Sequence, residues 1–198
     1  MYSVDVLIEG TAPLLQHRFG MEAQAQISQP AKRATGREDY SEEWKDSLYS
    51  INGYLAQPGI HIKMAMTKAA AGFKLPGARG KTYKDLFSAN IFVRPEMMLH
   101  IDKDGHEIAV PDKLETNNYE KPIYVDYRPV VVNRGSRVGR ARLAFASGWR
   151  IRFTIQIQDQ QIPLEVVQQV LTEAGQSVGI GDYRPRYGRF RVVRFEKL

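Results

Sequence analysis

The strictest pattern in this chain is the alternation in WRIRFTIQIQ, residues 149–158. Every second residue from Trp149 to Ile157 is large and apolar, and the residues between them are arginine, threonine or glutamine. Successive side chains of a strand point to opposite faces, so this segment predicts a strand with one face in a core and the other in water. The polar face is a candidate binding surface.

Other segments complete a set of strands. YSVDVLIEG, residues 2–10, alternates in the same way and predicts the first strand. Asn52-Gly53 lies between short apolar runs and predicts a hairpin, because both central positions of such a turn need positive φ. Four more segments have strand-like composition: 88–95 (SANIFVRP), 97–102 (MMLHID), 121–132 (KPIYVDYRPVVV) and 189–195 (RFRVVRF).

Two segments predict helices. IHIKMAMTKAAAG, residues 60–72, is rich in helix formers and ends at Gly72. PLEVVQQVLTEAG, residues 163–175, opens with proline near its first turn, has an apolar stripe and ends at Gly175. The order of elements predicts an α+β fold with an RRM-like or ferredoxin-like core.

The chain has 198 residues, of which 43% are hydrophobic, and this is enough for one sizeable core. We therefore predict a single RRM-like domain over residues 1–198. Residues of about 20–47 are polar and poorly periodic, which predicts an irregular insertion. Residues of about 130–146 carry glycine and arginine between strand-like segments, which predicts a basic hairpin.

Positive charge is concentrated in the second part of the sequence. Residues 1–119 contain 14 Lys and Arg against 15 Asp and Glu, a net −1, whereas residues 120–198 contain 14 against 7, a net +7. Residues 128–152 hold seven arginines and no acid. A field of one sign along a segment indicates a polyanionic partner.

Several classes of protein are disfavoured. The chain has no cysteine, and its four histidines are scattered, so we expect neither a metal site nor a cofactor. No apolar window approaches the length of a membrane span and no secretory signal is visible, so we expect a cytoplasmic protein that binds no membrane. ARGKT, residues 78–82, lacks the first glycine of a phosphate loop, because Leu75 stands there. Lys81 remains a candidate for an auxiliary contact to a phosphate backbone.

Three segments carry a family resemblance. GIGDYRPRYGRF, residues 179–190, follows a helix and precedes the last strand, and it resembles the C-terminal glycine-rich loop of the RAMP superfamily, the CRISPR-associated RNA-binding proteins. LAQPGIHIKMAMTKAA, residues 55–70, is similar to the segment that opens the first helix in RAMP backbone subunits, and IEGTAPLL, residues 8–15, is similar to the end of their first strand. The same combination is similar to small phage and prophage proteins.

The resemblance implies an RRM-like protein of a bacterial cytoplasm that binds single-stranded RNA or DNA. It also implies a homo-oligomer that assembles head to tail along the strand. In this interpretation the protein is not an enzyme, and arginine-rich loops contact the phosphates of the bound strand.

Ten residues are candidates for nucleic-acid contacts. Glycines between residues 178 and 190 would let the backbone approach a phosphate, arginines would neutralise it, and tyrosines would stack on a base. The alternative is an ordinary glycine-rich turn with inward tyrosines and solvated arginines. The candidates are Arg134, Arg137, Arg140, Arg142, Tyr183, Arg184, Arg186, Tyr187, Arg189 and Lys81.

Two other functions are open. Some RAMP relatives are metal-independent endoribonucleases that use a histidine near the first helix, and in this chain that residue would be His17. General acid–base cleavage would need the imidazole within hydrogen-bond reach of the reacting oxygens. The third interpretation is a structural or interaction protein of a phage, whose basic loops contact an acidic protein partner.

Overall fold

The computed structural model describes residues 1–18, 43–131 and 137–198, with the side chains of residues 131, 137 and 138 left aside. Most of the predicted insertion at about 20–47 therefore lies outside the described residues. Arg134 and the turn of the basic hairpin also lie outside them.

The described residues form ten strands and four α-helices. The strands are β1 (Tyr2–Gly10), β2 (Leu14–Leu15), β3 (Ser50–Ile51), β4 (Tyr54–Pro58), β5 (Ile91–Arg94), β6 (Met97–Ile101), β7 (Ile123–Val131), β8 (Arg137–Phe145), β9 (Arg150–Ile157) and β10 (Phe190–Lys197). The α-helices are α1 (Glu43–Ser47), α2 (Gly59–Ala69), α3 (Lys84–Asn90) and α4 (Leu164–Glu173). A 3₁₀ turn, Ala70–Gly72, follows α2, and a π-helical turn, Ala174–Val178, follows α4.

The main sheet has the strand order of a ferredoxin-like fold. Strand β1 lies between β10 and β9, and β9 pairs with β5, all antiparallel. Helix α2 comes between β1 and β5 in the chain, and α4 comes between β9 and β10. This is the β-α-β-β-α-β arrangement, and the predicted α+β fold with an RRM-like or ferredoxin-like core is confirmed.

Two additions extend this core. Near its start, β9 also pairs with β6 through Ile151 and Arg150, and the sheet continues through β4 and β3. A second sheet contains β2, β8 and β7 in that order, and β7 and β8 pair antiparallel. The turn predicted at Asn52-Gly53 joins β3 and β4, with both residues at positive φ as the hairpin requires.

The core lies between the main sheet and the two long helices. The odd-numbered side chains from Ile151 to Ile157 are buried together with Val4, Val6 and Ile8 of β1. Helix α2 buries Ile62, Ala65, Met66 and Ala69 at the spacing of one helical face, and α4 buries Val167, Val170 and Leu171. The predicted periodicities therefore identify the core faces correctly.

Two boundaries differ from the sequence-based expectation. Residues 88–90, predicted as strand, belong to helix α3, and the strand begins at Ile91. The second long helix does not end at Gly175 but continues as the π-helical turn to Val178. A Cβ at Gly175 would lie 2.3 Å from the carbonyl oxygen of Phe190, so this glycine permits close packing against β10 and does not terminate the helix.

Within the described ranges, no helix is both long and apolar enough to cross a membrane.

Candidate functional site

The glycine-rich loop, residues 179–189, is fixed against the segment that follows β1. The backbone N–H of Gly188 donates to the carbonyl of Pro13 at 2.7 Å, and that of Asp182 donates to Leu15 at 2.9 Å. In the other direction, Thr11 donates to the carbonyl of Arg189 at 2.9 Å. Two of the three segments that carry the family resemblance are thus neighbours in space.

The third segment lies beside the same loop. Helix α2 packs against the π-helical turn that leads into the loop. A groove of about 340 Å³ lies there, with a cation from α2 and another from the loop in its wall. It is lined by Lys68, Ser177, Val178, Gly181, Asp182, Tyr183, Arg184 and Pro185.

The backbone amides of the loop are largely used within the fold. The N–H of Gly179 donates to Ala174, that of Ile180 donates to Gly188, and that of Tyr187 donates to Tyr183, at 2.8 to 3.1 Å. The amide of Gly188 is also occupied, as described above. In this conformation these N–H groups are not available to a phosphate, so the glycines serve the packing of the loop.

Three arginines of the loop are exposed. Arg184, Arg186 and Arg189 point away from the core, and within residues 1–18, 43–131 and 137–198 no carboxylate pairs with them. Because the backbone beneath them is held by hydrogen bonds to residues 11–15, the loop presents these cations from a defined framework. Such a group can neutralise neighbouring phosphates of an extended strand.

The two tyrosines of the loop have different environments. Tyr183 is 39% exposed, and its ring lies 6.2 Å from that of Tyr187 in an edge-to-face arrangement. Tyr187 is half-buried against Leu15, Tyr124 and Ala144. Tyr183 is therefore the ring that a base could reach, and Tyr187 supports it from below.

Arg128 of β7 stands at the centre of this pair. Its guanidinium carbon lies 5.4 Å from the ring of Tyr183 and 5.0 Å from that of Tyr187, and its Nη2 donates to the Tyr187 hydroxyl at 2.8 Å. The same guanidinium forms a two-pronged ion pair with the buried carboxylate of Asp126, which raises the pKa of Arg128. Arg128 holds both rings through these contacts.

The two predicted hairpin arginines whose side chains the structure describes both lie against acids. Arg142 is buried, its Nε lies 3.2 Å from a carboxylate oxygen of Asp182, and its guanidinium lies beneath the ring of Tyr183. Arg140 pairs with Glu43 at 2.9 Å and is 42% exposed. Neither Arg134 nor the side chain of Arg137 belongs to the described residues.

The polar face of the main sheet is covered by ion pairs. Glu9 accepts hydrogen bonds from Arg150 and Arg191, which hold its pKa below the usual range. Asp5 is shared in the same way by Arg152 and Arg194. The alternation of β9 correctly predicted a wet face, but its arginines are paired with acids of β1 and are not free to bind a polyanion.

His17 and Lys81 do not line the groove beside the loop. The His17 side chain lies at the surface and its carbonyl accepts from the Tyr49 hydroxyl at 3.3 Å; partial desolvation of the imidazole and, after it, the charge of Arg142 lower the pKa of His17. Lys81 is exposed in a separate groove formed by residues 74–82. Catalysis by His17 and a phosphate contact by Lys81 therefore stay predictions.

One group of side chains has the spacing of metal ligands. Ligand atoms of Asp102, Asp104 and His106 lie within 4.8 Å of one another on an exposed turn between β6 and the following segment. A carboxylate oxygen of Asp102 accepts from the backbone N–H groups of Asp104 and His106 at 2.8 and 2.9 Å. These bonds explain the cluster as a turn.

Sequence reasoning did not identify Arg128 or Lys68 as part of this region. No sequence motif distinguishes Arg128 from the other residues of β7. Its hydrogen bond to Tyr187 joins residues that are 59 positions apart in the chain. Lys68 and His61 are seven residues apart on α2, which places them on one face of the helix. That spacing was a usable signal, but only with knowledge of which face is exposed.

No family model matches this sequence, and no curated protein matches it. Solved structures do match the fold. One chain of the type III-B Cmr-beta complex bound to cognate target RNA aligns with a TM-score of 0.53 at 12% identity, covering 100% of this chain and 60% of that one. A chain of a type IV-B CRISPR complex aligns with a TM-score of 0.48 at 11% identity, covering 96% of this chain and 89% of that one.

The protein described here thus spans about 60% of the length of the type III-B chain that it matches. The likeness is one of fold: this chain shares the fold of one chain of the type III-B Cmr-beta complex, as the resemblance to RAMP proteins implied.

Proposed function

We propose that the protein is a non-catalytic binder of single-stranded nucleic acid that contacts the strand through the glycine-rich loop. RNA is the favoured ligand and single-stranded DNA the alternative. The observation that carries this proposal is the trio of exposed arginines, Arg184, Arg186 and Arg189, without carboxylate partners in the described residues and on the same loop as the exposed ring of Tyr183. Cations for phosphates and an aromatic face for a base are the two elements of binding to a single strand.

The distribution of paired arginines restricts the surface that can do this. RRM domains stack bases on aromatic side chains of the open sheet face. Here the corresponding positions of β1 and β9 hold Asp5, Glu9, Arg150 and Arg152 in ion pairs. A strand that approached this face would have to separate charges that already satisfy one another, so the loop is the better surface.

The similar type III-B complex is bound to cognate target RNA, and this supports RNA as the ligand. Assembly of several copies along a strand and an origin in a phage or prophage belong to the same proposal. The arginines of the β7–β8 hairpin are secondary candidates: Arg140 by exchanging Glu43 for a phosphate, and Arg134 and Arg137 by position in the chain.

The first test is a titration of fluorescent single-stranded RNA and DNA across salt concentration. Three phosphate contacts would give a slope of log affinity against log salt of about −2, at roughly −0.7 per contact. A variant with Arg184, Arg186 and Arg189 all changed to glutamine is expected to lose most of that slope and to bind at least about tenfold more weakly at low salt.

The matched control changes Arg152, Arg191 and Arg194 to glutamine. It removes the same formal charge from the ion-paired sheet face. If both triple variants weaken binding equally, general charge and not the loop is responsible, and the proposal fails.

Two other outcomes would replace the proposal. Metal-free cleavage of the RNA that His17→Ala abolishes would favour the endoribonuclease. Tight binding to an acidic protein, with no binding to RNA or DNA, would favour the interaction protein.

A second test separates the two tyrosines of the loop. Tyr183→Ala is expected to weaken binding of single-stranded RNA about tenfold, because loss of one stacked base costs about 1–3 kcal/mol. Tyr183→Phe keeps the ring and is expected to bind like the parent protein. Equal binding by all three proteins in the same titration would show that Tyr183 stacks on no base.

A further inference from the structure

A chain of buried amides connects the interior of the fold to His61. Gln16 and Gln57 are fully buried. The Nε2 of Gln16 lies 2.7 Å from the carbonyl oxygen of Ala56 and 3.1 Å from Oε1 of Gln57, and the Nε2 of Gln57 lies 2.5 Å from Nδ1 of His61. We call Gln16, Gln57 and His61 the amide relay.

The backbone fixes the first amide of the relay. The Oε1 of Gln16 accepts from the backbone N–H of Tyr49 at 2.9 Å, while its Nε2 donates to the carbonyl of Ala56. A backbone N–H can only donate and a carbonyl can only accept. Reversing the Gln16 amide would therefore set donor against donor and acceptor against acceptor at two buried contacts, so only one orientation is possible.

This orientation propagates along the relay. Since Gln16 presents a donor to Gln57, the atom of Gln57 that faces it must be the oxygen. The nitrogen of Gln57 then faces Nδ1 of His61, which must accept and so carries no proton. The imidazole is consequently neutral, with its one proton on Nε2.

We infer that the amide relay makes His61 an uncharged hydrogen-bond donor on the face of α2 that also carries Lys68, which lines the groove at the glycine-rich loop, and that its Nε2–H donates to an oxygen of the bound strand. The inference rests on the proposed function and adds a residue to the same site. His61 is half-exposed, and the described residues offer no partner to Nε2. Its ring packs edge-on against Tyr49 at 5.6 Å between centroids.

The charges around His61 favour the same state. Burial and, after it, the positive charge of Arg184 lower the pKa of His61, and within the described residues the ring contacts the uncharged side chains of Gln57 and Tyr49. Protonation of Nδ1 would also break the bond from Gln57. The lowered pKa keeps His61 neutral to a lower pH than an ordinary histidine.

The tautomer is tested on the free protein, without any nucleic acid. In the ¹⁵N-labelled protein, long-range ¹H–¹⁵N correlations of the His61 ring, assigned by their loss in His61→Phe, are expected to show an unprotonated Nδ1 and a protonated Nε2 at pH 7. Gln57→Glu places a carboxylate opposite Nδ1 and is expected to raise the pKa of His61 by at least about one unit. A protonated Nδ1 in the parent protein would overturn the inference.

Binding tests the second half of the inference. His61→Phe keeps a ring and removes the donor, and it is expected to weaken binding of single-stranded RNA about fivefold at pH 7. Unchanged binding in His61→Phe, in a titration where the loop triple variant does weaken it, would overturn the role of His61 and leave the proposed function intact. No effect of the loop triple variant would instead remove the proposed function, and with it this role of His61.

Discussion

Replacing Gly188 with alanine is expected to lower the free energy of unfolding by roughly 3 kcal/mol or more. Gly188 has φ +72°, and a Cβ there would lie 1.7 Å from the carbonyl oxygen of Ile180. The obstacle is backbone on the opposite arm of the loop, where the Ile180 N–H bonds to Gly188 itself, so a side-chain rotation cannot relieve it. The loop would have to open, which would release the arginines from their framework.

Gly77 provides the matched control. It has nearly the same φ, +73°, but nothing lies within 4 Å of the position that its Cβ would take. Gly77→Ala is therefore expected to lower the free energy of unfolding by only about 1 kcal/mol, the cost of holding a residue with a Cβ at positive φ. Urea denaturation of both variants measures the difference. Equal costs would mean that the close packing of the loop at Gly188 is not what holds it in place.

The architecture was accessible from the sequence because its signals are local. The alternation from Trp149 to Ile157, the apolar face of 60–72 and the Asn52-Gly53 turn each depend on the period of one element. Order along the chain then restricted the topology, since connections in such sheets follow few patterns. The boundary at Asn90 was missed because the helix that ends there and the strand that follows are both short and directly adjacent in sequence. Neither segment is long enough to show its period clearly.

The electrostatics of the candidate site were not accessible in this way. Counting charges along the chain gave residues 120–198 a net +7, but the fold brings acids of the first part onto these arginines. Glu9 binds Arg150 and Arg191 across 141 and 182 residues, and Glu43 binds Arg140 across 97. Charge counted along the sequence is therefore not charge available on the surface, and among the described residues Arg184, Arg186 and Arg189 keep theirs without a carboxylate partner.

The buried imidazole of His100 is expected to make the free energy of unfolding fall as the pH falls. His100 is fully buried, stacks on Phe145 with 4.0 Å between ring centroids, and finds no partner for Nδ1 among the residues that the structure describes. Its Nε2 faces the donor nitrogen of Gln16 at 3.4 Å, so no acceptor nearby favours a second proton. Burial lowers the pKa of His100 to about 3.

His100 binds a proton more readily in the unfolded chain than in the folded protein. In the unfolded chain His100 takes up a proton near its ordinary pKa of about 6.5, whereas in the folded protein it stays neutral down to a pKa of about 3. Unfolding therefore takes up a proton between these values, and stability falls as the pH falls. The loss is about 1.4 kcal/mol per pH unit well below pH 6.5, or about 2 kcal/mol between pH 7 and pH 5.

Urea denaturation at pH 7 and pH 5 tests this when the protein is compared with His100→Phe, which keeps a ring against Phe145. His17 and His61, whose pKa values are also lowered, remain in both proteins and cancel in the difference. The parent is expected to lose about 2 kcal/mol more than the variant. An equal loss would mean that His100 is protonated inside the fold. If the variant does not fold, the ring protons of His100 are expected to show no titration by NMR down to pH 4, and a midpoint near 6 would contradict the burial of a neutral imidazole.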